Sequence, residues 1–582
     1  MKKTRLLILA LVLVSMLAGL LAGCSKPADT GSTGSADTGA TTGTADTGSA
    51  TTGSATTGAM SAADDVVAGA ADVLDELAGV YPIEGNLTFT YWVPIGSTAL
   101  NYINSYAENV AYQVRAEKTG VTIEFNHPPV GSEQESFNLM IAGGELPDII
   151  ESVDSYYKEG IDAGIDDGYF LNMNELVKKF APAYTEIVAL NDRVRKEAFT
   201  DGGYFRGFAM VSSDTTANGG MDTDPCIENP WTGVQWNTEY LEACNLDVPE
   251  TIDDWTEAFA AFKAMDPECT PLLIWGNNSG NQGFNTTAGS VITAYGIAPG
   301  FYQEDGVVKY GFAEPALKDY LILMKSWYDA GYLHEDFSSM DSTQAQTIYM
   351  NGKAGCFWQD GTGDTLKMKN AGYKTWTGGV SPRLTEDSEP VKWSYQNNWL
   401  RSNFTLVTTA CEHPEEATRW LDWGYTTDGY LTMNFGREGE TYYGFNELGE
   451  CQYVELYSDN NHALWDSYNS VIRLHNGCYL KSDRRSNPRR FMADLEEMRI
   501  LWESQSGEMR MPPVTLTTEE GSENASIMAD VEAYRNEMIV AFIRGTADIE
   551  AQFDEYLETI KGMGIETAIK NQQAALERFN AR

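Results

Sequence analysis

The chain has 582 residues, with 84 acidic and 40 basic side chains and a formal net charge of −44. Such an acidic chain argues against nucleic-acid binding, which draws its affinity from basic patches, and against adsorption to anionic lipid. It is long enough to form two or three domain-sized hydrophobic cores.

The first 24 residues have the pattern of a secretory signal peptide. Lys2, Lys3 and Arg5 precede an apolar run over 6–21, which is short for a permanent membrane-spanning helix. The ending Leu-Ala-Gly-Cys resembles a bacterial lipobox. That resemblance implies a signal peptide over residues 1–23, lipidation (palmitate) of Cys24, and a location on the extracellular face of the cell membrane. The alternative is an ordinary signal peptide followed by a chance cysteine.

The next segment is predicted to be a flexible tether. Residues 25–58 are almost entirely Ser, Thr, Gly, Ala and Asp, so they cannot bury enough apolar surface to offset chain entropy. With the lipidated Cys24 the tether spans residues 24–82, and a coil of this length reaches roughly 40 Å. The folded part is expected over 83–582.

The first folded segment alternates between strand and helix signals. Residues 87–93 and 121–125 are β-rich, residues 147–150 lead into a third strand, and helical spacing lies between them at 101–118 and 137–141. This β-α-β-α-β rhythm predicts an α/β fold with a parallel or mixed sheet.

Later segments carry clear helix signals. Thr251 can cap a helix together with Asp254, and Pro414 can occupy the first position of another helix. The region from 527 to 579 shows three apolar stripes separated by Gly545 and Gly562. These stripes predict core packing and carry no functional information.

The sequence lacks the common catalytic and metal-binding signatures. It contains no GxGxxG, GxxxxGK[ST], HExxH, GxSxG or CxxC pattern. We therefore predict no cofactor, no metal site and no enzymatic activity. Of the eight cysteines, the seven beyond Cys24 are interpreted as structural, with one disulfide or none.

Several segments resemble one known family in the same order along the chain. They are 144–150 (GELPDII), 201–208 (DGGYFRGF), 248–255 (VPETIDDW), 351–355 (NGKAG), 413–422 (HPEEATRWLD), 436–442 (GREGETY) and 572–579 (QQAALERF). Together they are similar to extracellular solute-binding lipoproteins of ABC importers that take up sugars and oligosaccharides. The resemblance implies a two-lobed periplasmic-binding-protein-like fold of type II with a central ligand cleft.

The same resemblance implies a division into lobes. Lobe one is expected over about 85–209 and 382–437, and lobe two over about 213–380 and most of 444–582. The chain is then expected to cross between lobes near 209–212, 380–382 and 437–444. The lobe to which the C-terminal helices belong stays open.

Sugar recognition requires polar side chains for hydroxyl groups and aromatic rings for the apolar faces of the sugar. By their positions after strands or in loops, the candidate ligand-binding residues are Trp92, Asp148, Ser152, Trp231, Trp236, Trp275, Asn277, Trp358, Gln359, Asp360, Trp393, Tyr395, Asn397, Trp399, Glu438 and Tyr442. Trp358 is favoured most, because related sugar binders often carry a stacking aromatic there, and Trp358→Ala is expected to weaken binding without lowering the melting temperature. Core packing is the alternative for Trp92, a loop brace for Asp148, and a structural latch for Glu438 and Tyr442.

The predicted function is therefore capture of a neutral oligosaccharide, or another small solute, for delivery to ABC permease subunits. The protein is expected to be a monomer that meets the membrane through its lipid anchor and binds no nucleic acid. Two alternatives stay open: a surface ligand sensor for a signalling kinase, and a surface glycoside hydrolase, which needs two carboxylates roughly 5–10 Å apart.

Overall fold

A computed structural model describes the chain from residue 80 onward, with gaps. The described residues are 80–97, 99–189, 192–213, 232–275, 291–360, 376–393, 400, 403–445, 451–454, 468–473, 476–482, 497–498, 501–502 and 507–582.

The elements of this part are numbered in chain order. The strands are β1 (Thr88–Trp92), β2 (Thr122–Asn126), β3 (Ile149–Ile150), β4 (Val211–Ser213), β5 (Thr232–Asn237), β6 (Thr270–Leu272), β7 (Phe301–Glu304), β8 (Val307–Tyr310), β9 (Ala354–Asp360), β10 (Trp376–Gly379), β11 (Leu406–Val407), β12 (Tyr442–Phe445), β13 (Cys451–Tyr453) and β14 (Leu480–Ser482). The helices are α1 (Val110–Thr119), α2 (Glu133–Gly143), α3 (Val153–Tyr156), α4 (Ile161–Asp166), α5 (Asn174–Phe180), α6 (Pro182–Ala189), α7 (Asp192–Ala198), α8 (Thr238–Cys244), α9 (Ile252–Met265), α10 (Leu317–Asp329), α11 (Ser342–Met350), α12 (Pro414–Asp422), α13 (Thr427–Phe435), α14 (Thr518–Arg544), α15 (Ile549–Gly562) and α16 (Ile565–Ala581).

The first sheet has the strand order β11-β3-β1-β2. β1 runs parallel to both β2 and β3, and β11 pairs antiparallel with β3. Helices α1 and α2 connect the three parallel strands, so the β-α-β-α-β rhythm predicted from the sequence is confirmed. Because β1, β2 and β3 are parallel, their carboxyl ends meet at one edge of the sheet.

The second sheet has the strand order β10-β5-β9-β6. β5 pairs antiparallel with β10 and β9, and β9 runs parallel to β6. Helix α9 packs here through Trp255, Phe259 and Phe262, all buried. Thr251 and Asp254 form the expected capping box at the start of this helix.

Buried side chains divide into two large cores and a small one. The first core draws on residues 83–211 and 400–480, and the second on residues 234–358 and 509–568. The small third core joins residues 273–376 to Met498 and Trp502. We call the segments that build the first core the first lobe, and those that build the other two the second lobe.

This grouping differs from the lobe boundaries expected from the sequence. Residues 442–480 contribute to the first core, whereas most of 444–582 was expected in lobe two. Trp393 packs against the second core, although residues from 382 onward were expected in lobe one. Strands β12, β13 and β14 in this region have only 4, 3 and 3 residues, which are too few to show a hydrophobic period.

Three short backbone segments of the first core lie side by side at points where the chain leaves or enters that core. β4 pairs parallel with β14, and Val211 forms an antiparallel bridge with Leu400. After β4 and after β14 the chain passes from the first core to the second, and just before Leu400 it returns from the second core to the first. We call β4, β14 and Leu400 the hinge strands.

The C-terminal region forms the three helices that the sequence predicts. Ile549, Phe553, Tyr556 and Ile560 form the buried stripe of α15. Val531, Phe542 and Ile565 of α14 and α16 enter the second core, and Gly545 closes α14 in a left-handed conformation.

Some chemical features can be checked only where the structure describes the chain. None of its described helices is long and apolar enough to cross a membrane. Within the same residues, no group of three or more His, Cys, Asp or Glu side chains could hold a metal ion. The described cysteines at 244, 269, 356, 411, 451 and 478 are unpaired, and Cys226 lies outside the described residues.

Candidate functional site

A cavity of about 690 Å³ lies along α2, the helix that begins at the carboxyl edge of the first sheet after β2, and Tyr156, after β3, forms one side of it. In open α/β sheets this edge is the usual place for ligands. The cavity is lined by Gly131, Ser132, Glu133, Gln134, Glu135, Asn138, Leu139, Ala142 and Tyr156. We call it the first-lobe cavity.

The aromatic wall of the first-lobe cavity is Tyr156, at the end of α3. Its ring meets Trp92 edge-on with centroids 5.5 Å apart, and lies 5.8 Å from the ring of Phe137. Trp92, a predicted stacking residue, is buried beneath it and packs edge-on against Phe137 at 5.6 Å. Trp92 therefore supports the wall, and Tyr156 is the ring that lines the cavity.

Sequence reasoning missed Tyr156. Its signal was its place six residues after the end of β3, where Tyr156 follows Asp154 and Ser155 in the first short helix after the strand. Burial and the charges of Glu133 and Glu151 raise the pKa of Tyr156 to about 12. The hydroxyl therefore stays protonated at neutral pH and can both donate and accept a hydrogen bond.

The rest of the cavity lining comes from α2 and the two residues before it, and combines polar groups with the apolar side chains of Leu139 and Ala142. Both carboxylate oxygens of Glu133 accept the N–H of Gly131 at 3.0 Å. Gln134 Nε2 donates to Asn138 Oδ1 at 3.0 Å and to the carbonyl of Tyr156 at 2.8 Å. The arrangement offers amide and carboxylate oxygens beside an aromatic ring.

The electrostatic character of this cavity is negative. A helix N-terminus carries about half a positive charge, but Glu133 and Glu135 place two carboxylates in the first turn of α2. No lysine or arginine is among the cavity's lining residues. The site is therefore unfavourable for anionic groups and open to neutral ones.

Two other predicted residues of the first lobe make protein contacts. The backbone N–H and the Oγ1–H of Thr90 both donate to Asp148 Oδ2 at 2.7 Å, which braces β1 at the amino end of β3. Ser152, at the carboxyl end of β3, has a left-handed φ of 65° and donates to Asn403 Oδ1 at 2.9 Å. Asp148 is thus a brace on the far side of the strand from the cavity.

The predicted residues Glu438 and Tyr442 lie in the turn before β12 and at the first residue of that strand. Glu438 is exposed and shares a backbone bridge with Tyr442. The ring of Tyr442 is buried and lies 5.8 Å from Phe435 and 6.0 Å from Phe445. This geometry matches the structural latch more than a ligand contact.

The predicted tryptophans of the second lobe lie in its cores. Trp236 is fully buried, and Trp275 and Trp358 are 3% and 8% exposed. Trp358 pairs with Val234 across β9 and β5, and Gln359 and Asp360 are the last two residues of β9. Because Trp358 packs in the second core, its removal is expected to lower stability as well, contrary to the sequence-based expectation of an unchanged melting temperature.

Of the remaining predicted residues, one is described and five lie outside the described part of the chain. Trp393 is half-buried against the second core. Trp231, Asn277, Tyr395, Asn397 and Trp399 lie outside the described residues.

A second cavity of about 460 Å³ lies in the second lobe. The β7–β8 hairpin and the loop over 383–392 line it, and Trp393 follows directly in the chain. Its cations are engaged in ion pairs, with Lys392 Nζ 3.2 Å from Glu508 and an Arg383 Nη2 2.9 Å from Glu250. Tyr156 is not among the described residues that line this cavity.

Comparison with known proteins gives the following matches. The sequence model of a family described as "Bacterial extracellular solute-binding protein" matches residues 109–434. "Lipoprotein LipO" of Bacillus subtilis is 25% identical over 258 residues, which cover 42% of this chain and 45% of the relative. The "Polygalacturonan/rhamnogalacturonan-binding protein YtcQ" of the same organism is 22% identical over 245 residues, covering 41% and 44%.

The chain thus matches less than half the length of each of these curated relatives. Among solved structures, the "alginate-binding protein AlgQ2 without calcium ion" has a TM-score of 0.69 at 18% identity, covering 86% of this chain and 99% of that one. At this identity the likeness shows the fold alone, and it establishes the two-lobed α/β architecture.

Proposed function

Because the chain belongs to the family of bacterial extracellular solute-binding proteins, we propose that it captures a neutral oligosaccharide between its lobes and delivers it to an ABC permease. The observation that carries this proposal is the first-lobe cavity along α2, with the ring of Tyr156 at its side, in the segments that follow β2 and β3. The names of YtcQ and AlgQ2, which each specify a polysaccharide, favour carbohydrate as the ligand class.

The choice of a neutral ligand rests on charge. The carboxylates of Glu133 and Glu135 line the first-lobe cavity without a basic partner among its lining residues. A uronate placed there meets like charges, whereas a neutral pyranose can stack one face on Tyr156 and offer its hydroxyls to Asn138 and Gln134. Most of the affinity would come from removing the sugar's apolar face from water.

The lobes that close on the ligand are proposed from the cores. The first lobe would comprise residues 83–211 and 400–480, and the second most of 234–393 and 498–582. The tether over residues 24–82 would hold this domain near the permease, with the protein acting as a monomer that performs no catalysis.

Tyr156→Ala is expected to weaken oligosaccharide binding about tenfold or more, because the variant loses the only ring among the described lining residues of the first-lobe cavity. A thermal-shift screen against neutral and acidic tetrasaccharides would find the ligand, and calorimetry would compare the variants. Tyr156→Phe should keep most of the affinity.

Tyr443→Ala is the matched control, because Tyr443 is 67% exposed on β12 and is absent from the cavity lining. Wild-type affinity in Tyr156→Ala would remove the first-lobe cavity from the binding site. Binding of none of the sugars, or their conversion into products, would contradict the proposed function itself.

Cys24→Ser is expected to move the protein from the membrane fraction into the medium. The substitution removes the thiol that would carry the lipid. Fractionation of cells expressing the wild type and the variant, followed by immunoblotting, measures the change. Retention of Cys24→Ser with the membrane would contradict the anchor.

A further inference from the structure

Two sequence segments that the proposed function does not use meet in the structure. Asp201 lies in the DGGYFRGF segment, and Arg578 lies in the C-terminal QQAALERF segment. Arg578 Nε donates to Asp201 Oδ2 at 2.6 Å, and Arg582 Nε donates to Asp201 Oδ1 at 2.9 Å. Asp201 and Arg582 are only 4% and 5% exposed, so solvent screens these contacts little.

The two sides of this network belong to different lobes. Ala198 and Phe199, just before Asp201, are part of the first core. Helix α16 is held to the second lobe, where the N–H of Val308 on β8 donates to Gln573 Oε1 at 2.8 Å. Helix α16 therefore runs from the second core, which Ile565 and Ala568 enter near its start, past the β7–β8 hairpin to the first lobe at its end.

Backbone groups strengthen the connection on the first-lobe side. Arg582 Nη1 donates to the carbonyls of Lys196 and Phe199, both at 2.6 Å. The N–H of Asp201 donates to Thr515 Oγ1 at 2.9 Å, just before α14 begins. We call Asp201, Thr515, Arg578 and Arg582 the interlobe clasp.

The clasp adjoins the hinge strands through the segment that carries Asp201. Glu197 Oε2 accepts the N–H of Leu400 at 2.9 Å, and the same segment continues through Arg206 into β4 at Val211. Arg206 Nη1 donates to the carbonyls of Glu197 at 3.1 Å and Pro513 at 3.4 Å. The attachment between the lobes thus extends from the hinge strands to helix α16.

We propose that the interlobe clasp is a second element of the hinge. Two bodies joined at a single point can bend and twist in any direction, whereas two bodies joined at two places can turn only about the line through both. The clasp then restricts the lobes to opening and closing about the line from the hinge strands to α16, and suppresses twisting between them. Asp201 is a positioning residue in this role, since it acts on the lobes and not on a ligand.

The proposal is tested on the ligand-free secreted protein in a Cys24→Ser background. Asp201→Asn removes the charge that holds both arginines on the first-lobe side. We expect amide exchange in β4 and β14 to become about tenfold faster, because openings of the hinge cost less free energy. Small-angle scattering should show a broader distribution of radii of gyration.

Glu520→Gln is the matched control. Glu520 accepts Arg578 Nη1 at 3.0 Å, but it lies on α14 in the same lobe as Arg578. Its loss should lower the melting temperature and leave hinge exchange and scattering as in the wild type. If Asp201→Asn does not fold, hinge exchange and scattering are measured on Thr515→Val instead. This variant keeps the side-chain shape and removes the Oγ1 that accepts the N–H of Asp201.

The outcomes separate a hinge element from a merely stabilising ion pair. Faster exchange in β4 and β14 with Asp201→Asn or Thr515→Val, but not with Glu520→Gln, supports the proposal. A lower melting temperature with unchanged hinge exchange and scattering overturns it, as does an equal effect of Glu520→Gln. Neither result depends on the identity of the ligand or on the proposed function.

Discussion

Replacing Arg473 by methionine is expected to lower the free energy of unfolding by about 3–5 kcal/mol. Arg473 Nη1 lies 2.5 Å from Glu151 Oε2, and its Nη2 donates to Oε1 of the same carboxylate. Glu151 is completely buried and Arg473 is 3% exposed. The variant would leave the Glu151 carboxylate buried without a cation, which is among the most costly changes in a protein interior.

The surroundings of the pair make relaxation difficult. The hydroxyl of Tyr91 donates to Glu151 Oε2 at 2.7 Å, and the guanidinium of Arg473 lies 4.7 Å from the ring centroid of Tyr106. These neighbours supply one hydrogen bond and an aromatic face but no second positive charge. Urea denaturation of the wild type and the variant measures the loss of unfolding free energy, provided that both proteins have the same dependence of that free energy on urea concentration.

The double variant Glu151→Gln/Arg473→Met distinguishes the cost of leaving one charge unpaired from the net contribution of the ion pair to stability. It removes both charges, so most of the lost stability should return, because a buried pair as a whole is worth little compared with neutral side chains of similar size. A single-variant loss below about 1 kcal/mol would match an exposed pair instead. That result would contradict the buried geometry.

The features predicted well from the sequence are those set by local periodicity. Alternation between strand and helix around β1, β2 and β3 follows from residues that are close in sequence, and so does the apolar stripe of α15. The capping box of Thr251 and Asp254 is a contact across three residues. In each case the interacting residues are neighbours along the chain, so the local sequence pattern is enough to predict the structure.

The features that could not be predicted join distant residues. Arg473 and Glu151 are 322 residues apart, and Asp201 and Arg582 are 381 apart. No local pattern distinguishes these buried charges from the many acids and bases on the surface. The tertiary fold determines which of these charged residues become partners. Partners so far apart in the sequence leave no local pattern that would identify them.

Aromatic residues illustrate the same limit at the candidate site. Trp236 lies in strand β5, and Tyr156 lies in the short helix that follows strand β3. Trp236 is buried in the second core, whereas Tyr156 lines the first-lobe cavity. The side of the sheet on which a strand residue lies depends on its neighbours and on which helices cover that face. A rule that assigns tryptophans near strand ends to a sugar site therefore selects core residues as readily as ligand contacts.

Trp236→Ala is expected to lower the free energy of unfolding by about 3–5 kcal/mol, since it would open a large cavity in the second core. The Trp236 ring lies edge-on to Trp255 at 4.9 Å and stacks on Phe259 at 5.8 Å. Its Nε1 is 2.6 Å from the position that a Cβ on Gly379 would occupy, so β10 passes too close for any larger residue. Thermal or urea unfolding measures the change.

Trp236→Phe distinguishes the loss of volume from the loss of a polar contact. Among the described residues, the indole N–H of Trp236 has no hydrogen-bond partner, so phenylalanine removes an unsatisfied buried donor while it keeps most of the ring. The expected cost is therefore well below that of alanine. A phenylalanine variant as unstable as the alanine variant would mean that the nitrogen has a partner after all.

The same two variants decide whether Trp236 belongs to the binding site. A core residue changes the stability of the free protein, and the extra stabilisation that a saturating ligand adds then stays constant, because that increment depends only on ligand concentration and Kd. A contact residue changes the increment itself. Since Trp236 is enclosed by Trp255, Phe259 and Gly379, we expect the increment to be unchanged in Trp236→Phe while it falls in Tyr156→Ala, which assigns recognition to the first-lobe cavity and Trp236 to the core.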